Sequence, residues 1–177
     1  MSPLAAWANF YVITGTAAAT LTGLMFVVIT LIVGGTTHRS STGLSIYSTP
    51  TVVHFVATIV VVVLLSAPWP TLWEASIPLG LVGTTGLVYS GIVMRRSRHQ
   101  GDYHPVLEDW LCHAILPTVA YVALIIAAVT LPWRPVPALF DVAAVIILFL
   151  ALGIHNAWDI VTFITFAQAD TEGERQE

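Results

Sequence analysis

Apolar positions along this chain come in long blocks separated by short polar intervals. A helix rises about 1.5 Å per residue, so crossing a hydrocarbon core of about 30 Å takes roughly 20 apolar residues. Five blocks approach or exceed that length: Phe10 to Gly34, Pro50 to Ala67, Ile77 to Met94, Leu111 to Leu131, and Leu139 to about Val161 with an extension toward Phe166. A strand of a membrane barrel alternates polar and apolar residues, whereas Ile59 to Leu65 and Val145 to Leu152 are apolar at every position. Lipid offers the backbone no hydrogen bonds, and helices satisfy their own. The expected fold is all-α: a polytopic integral membrane protein, with five transmembrane helices in a bundle over residues 1–169 and a polar, disordered tail over 170–177.

Arginine placement orients the bundle, because short cytoplasmic loops carry the basic excess. With the N-terminus outside, Arg39, Arg95, Arg96, Arg98 and Arg175 fall on the inner side and only Arg134 on the outer. The expectation is N-out and C-in, in an inner membrane. Indole rings prefer the headgroup level. Trp7, Trp69, Trp73 and Trp133 fall at the outer ends of the blocks, Trp110 and Trp158 at the inner ends. Residues 1–10 lack the basic start of a secretory signal, so the first block is expected to be retained as a span.

Composition agrees with this picture. Charged residues make up 9% of the chain and hydrophobic ones 56%, against roughly a quarter charged in soluble domains. The net charge of −4 leaves no basic face for a nucleic-acid partner. Cys112 is the single cysteine, so no internal disulfide forms. Nucleotide-binding glycine loops, a nucleophile elbow, paired-cysteine zinc motifs and a helix with two histidines flanking a glutamate are all missing from the sequence.

Ionisable groups inside a span are costly and point to a site. Here they are His54 in the second block, His113 in the fourth, and His155 and Asp159 in the fifth, with Glu108 and Asp109 at the mouth of the fourth. Counted inward from the outer ends, the three histidines fall in the inner third of the bilayer and the two aspartates near its inner boundary. Residues four apart share a helix face, which pairs Asp109 with His113 and His155 with Asp159. Should the fourth and fifth helices pack face to face, His113 meets His155, and His54 can close the cluster. Three imidazoles and one or two carboxylates make a ligand set for zinc or iron, with a carboxylate as ligand, orienting group or base; Asp159 and Glu108 are the candidate bases. Two histidines facing across a flat cavity would instead hold a haem. Pro117 has no N–H for the carbonyl of His113, so a kink is expected there. Asn156, Trp158, Thr162, Tyr89 and Ser90 lie at similar depth and are possible hydrogen-bonding partners.

Each group also has a plain structural explanation. Glu108 and Asp109 follow Pro105 in a first helical turn, where the helix dipole favours acids. Asp159 can pair with third-loop arginines, and His54 with a backbone carbonyl of a neighbouring helix. Glu74 and Asp141 open helices at the outer end, while His38, His99 and His104 sit in inner loops. Gly15, Ala19 and Gly23 on the first block, and Gly80, Gly83 and Gly86 on the third, form small-residue faces for close helix packing.

Three functions compete. The first is a metal or haem protein using the inner polar layer. The second is a homo-oligomeric channel or proton pathway gated by the same layer, and the third is an accessory subunit in which the layer is structural. Membrane lipids and further copies of the chain are the expected partners.

Overall fold

In the computed structural model each apolar block is helical. Residues 3–35, 41–97 and 111–174 are described, with side chains described for 3–30, 51–95 and 111–162 except at 113. A short 3-10 turn (Pro3–Trp7) leads into α1 (Ala8–Gly35). It is followed by α2 (Ser41–Ser66), α3 (Leu72–Ser97), α4 (Leu116–Thr130) and α5 (Pro135–Glu174). A π-helical turn, Leu111–Ile115, precedes α4. No strand occurs among the described residues. Three segments, Pro3–Thr30, Leu72–Arg95 and Pro135–Thr162, are long and apolar enough to cross a membrane, and Thr51–Ser66 and Leu116–Thr130 are shorter apolar helices.

Several boundaries differ from those drawn on hydropathy. α2 begins at Ser41, because the polar stretch before Pro50 continues the helix beyond its apolar part. α3 begins at Leu72 and carries Pro78 within it, early enough that the lost N–H falls in the first turns. α5 continues to Glu174, through the first residues of the stretch read as a tail.

The helices alternate in direction. Trp7 at the start of α1 meets Phe140 near the start of α5, with ring centroids 4.9 Å apart. Trp73 at the start of α3 meets Trp133 in the α4–α5 turn at 4.7 Å. One end of the bundle therefore collects Trp7, Trp73 and Trp133, and Trp69 joins them by donating from Nε1 to the Leu64 carbonyl at 2.6 Å where α2 ends. Packing runs α1 on α2, α2 on α5, α5 on α4 and α4 on α3, with a smaller α2–α3 contact closing the ring.

Small residues set the closest approaches. A Cβ on Gly86 would enter the Tyr121 ring, and one on Gly83 would lie 2.7 Å from Ile125 Cγ1. The small face of α3 is thus the seat of α4. On α1 only Gly15 serves in this way, where a Cβ would stand 3.0 Å from Val62; Gly23 has nothing within 4 Å, and Ala19 is exposed. Between the helices lies an apolar core that includes Leu65, Leu79, Leu124, Leu131, Leu139 and Ile146, all buried.

The outer surface is apolar as well, with Val12, Ile13, Ile77, Leu81, Ile126, Ile147 and Ile154 among the large exposed hydrophobics. Exposed apolar surface spread over every face exceeds what a soluble monomer presents. Buried and half-buried hydroxyls are absorbed locally: Thr14, Thr22, Thr58 and Thr118 each donate to the carbonyl four residues back, as does the more exposed Ser66.

Candidate functional site

At the end of the bundle opposite Trp7, Trp73 and Trp133, α5 carries His155, Asn156 and Asp159. Leu150, Gly153, Ala157 and Ile160 occupy the side of α5 facing α1 and α2, with Gly153 against Phe55 and Ile160 in the cluster of Met25 and Phe55. His155 and Asp159 fall on the opposite side of α5, the first half-buried and the second exposed. His155 Nε2 and Asp159 Oδ2 are 3.4 Å apart, with side chains 36% and 49% exposed. Helical spacing therefore pairs them as expected from the sequence.

His54 occupies a different setting. It is buried, 4% exposed, with its ring 5.7 Å from that of Phe149 at a tilt of 37°. Phe149 in turn contacts Tyr121 of α4 at 4.8 Å. The His54 carbonyl accepts from Thr58 Oγ1 at 3.1 Å. Among the described residues no three His, Cys, Asp or Glu side chains come together, so His54 does not join the His155–Asp159 pair. Glu108, Asp109 and the His113 side chain lie outside the described residues.

The structure sorts the other polar residues at this depth. Asn156, Ser90 and Thr51 are buried, while Trp158 is exposed. Asn156 is 2% exposed, and among the described residues neither Oδ1 nor Nδ2 has a hydrogen-bond partner. Sequence reasoning had no signal that would separate Asn156 from Trp158, and it passed over Thr51. Thr162, half-buried, spends its hydroxyl on the carbonyls of Trp158 at 3.0 Å and Asp159 at 3.1 Å. On α4 the expected disturbance at Pro117 takes the form of the π-turn Leu111–Ile115, a distortion frequent at functional sites.

Compared with family models, curated proteins and solved structures, the chain matches none. Chemistry must therefore be read from the geometry. A hydrogen bond from a ring N–H to a carboxylate has a heavy-atom distance of about 2.7–2.9 Å when charge-assisted. The His155–Asp159 separation of 3.4 Å is longer than such a hydrogen bond, so the pair is in contact without being locked together.

Proposed function

We propose that this chain is a multi-pass inner-membrane protein that binds a divalent cation, zinc or iron, near the inner ends of α4 and α5. All five helices cross the bilayer, N-terminus outside and C-terminus inside. At about 1.5 Å per residue, the 26 residues of α2 span about 39 Å. Their direction follows from the arginine excess on one side and from the tryptophans gathered at the other end.

The single observation that carries the cation reading is the His155–Asp159 pair: an imidazole and a carboxylate 3.4 Å apart on α5, whose other side chains from Val142 to Ile160 are apolar apart from Asn156. The two supply neighbouring vertices of a coordination shell, or Asp159 holds Nε2 while Nδ1 ligates. His113 and Asp109 are the candidates for the remaining positions, with water at any position left open. An open position would make bound water acidic, and Asp159 or Glu108 would then serve as its base. His54, under the Phe149 ring, belongs to a second, buried part of the polar layer. That stacking also disfavours the haem alternative, which needs imidazoles facing a flat cavity.

Conduction through one protomer finds less support. The buried leucines of the core fill much of the outer half of the bundle, where Tyr11, Thr14 and Ser76 are the buried polar side chains among the described residues and form no continuous polar stripe. A pathway would have to run between copies, and the outward face of α1 around Ala19 and Gly23 is the surface on which such copies would meet. Elemental analysis of detergent-purified protein tests the cation reading: stoichiometric metal supports it, and a folded, metal-free protein overturns it.

A further inference from the structure

The buried amide of Asn156 has no hydrogen-bond partner among the described residues. A primary carboxamide offers two donors and an acceptor, and buried polar groups of this kind are nearly always paired with protein or ordered water. Its surroundings can be placed by register. Tyr121 of α4 packs on Phe149 of α5, so in this antiparallel pair Asn156, two turns further in, comes level with about residue 114, inside the π-turn Leu111–Ile115. Pro117 supplies no N–H to the carbonyls of residues 112 and 113, whichever register the turn takes. On the other flank Gly153 against Phe55 brings Asn156 level with Thr51 and Val52, and Thr51 is buried.

We infer that Asn156 is the centre of a buried water site between α5, α2 and the π-turn of α4. The groups described at this level include an amide, a hydroxyl and backbone carbonyls, all neutral and all able to bond to water. A bare cation would satisfy Oδ1 and be repelled by the Nδ2 hydrogens, while water answers both ends. A buried water is held by two to four such partners. The site faces the bundle interior, whereas the His155–Asp159 pair lies on the flank, so it stands independently of the proposed cation.

Asn9 and Asn156 are the only asparagines in the chain, so selective ¹⁵N-asparagine labelling yields two side-chain amides. Asn9, exposed at the opposite end, is assigned by Asn9→Gln, which leaves the core untouched. The spectrum is recorded in detergent after dialysis against a chelator, with magnetisation transferred from water to the amide protons. The expected result is transfer to the Asn156 amide within a few-fold of that to Asn9, lost with its signal in Asn156→Leu. Transfer to Asn156 at least ten-fold weaker than to Asn9 would mean a dry amide and would overturn the inference. The assignment by Asn9→Gln holds even where Asn156→Leu does not fold.

Discussion

Four glycine-to-alanine substitutions ask whether the helix packing is as close as it looks. Gly23, Gly80, Gly83 and Gly86 all lie within helices, so each gains up to about 1 kcal/mol of helix propensity from the added methyl. What separates them is the space that the methyl enters. At Gly23 it meets nothing within 4 Å, and at Gly80 it meets the Ala128 Cβ at an ordinary 3.6 Å. At Gly83 it lies 2.7 Å from Ile125 Cγ1 and 3.2 Å from the Ile125 backbone nitrogen, and at Gly86 it enters the Tyr121 ring. That ring cannot easily retreat, because Phe149 stands behind it at 4.8 Å. Overpacking costs about 1–3 kcal/mol. Gly83→Ala and Gly86→Ala should therefore lose up to about 2 kcal/mol net, while Gly80→Ala and Gly23→Ala stay neutral or gain up to about 1 kcal/mol. Equilibrium unfolding in mixed detergent, followed by circular dichroism, measures the series. A stabilisation of about 1 kcal/mol in Gly86→Ala, the propensity gain with no overpacking cost, would refute the α3–α4 contact. Loss at Gly23→Ala in a multimeric sample would show that the open face of α1 is covered by another copy.

Further outcomes follow from the same geometry. Phe149→Ala removes the ring between His54 and Tyr121 and should cost about 3–5 kcal/mol in the same unfolding assay; a loss below about 1 kcal/mol would contradict the packing. For topology, Thr71→Cys in a Cys112→Ser background should react with a membrane-impermeant maleimide on intact cells, and labelling only after lysis would invert the orientation. Replacing Trp73 by Ala should lower stability by about 0.5–1.5 kcal/mol beyond the loss of area, from its edge-to-face contact with Trp133. A double-mutant cycle with Trp133→Ala measures that coupling, and a coupling near zero would count against the contact.

The helical architecture could be read from residue pattern because membrane spans impose length and continuous apolarity on sequence. The small face of α3 was legible for the same kind of reason, since Gly80, Gly83 and Gly86 repeat at helical spacing. Facing was harder to read. Spacing places His155 and Asp159 on one side of a helix, but only the positions of α2 and α4 decide whether that side looks inward. Asn156, next to His155, turns into the bundle, while Trp158 turns out, and nothing local distinguishes an inward amide from an outward one. Pro117 predicted a kink, and the structure instead shows a π-turn just ahead of it, because a missing N–H can be absorbed by a change of helical register as well as by a bend. Asp109 and the His113 side chain, expected as partners from the fourth apolar block and its mouth, lie outside the described residues.

The measurement that bears most directly on the proposed function is metal content after purification in detergent. Wild type is compared with His155→Ala and Asp159→Asn, and with Asp141→Asn as a control at the far end of α5. Zinc or iron near one per chain in wild type and in the control, falling at least several-fold in both site variants while all four remain folded, is the predicted result. Metal absent from a folded wild type, or retained unchanged in His155→Ala and Asp159→Asn, would contradict the account.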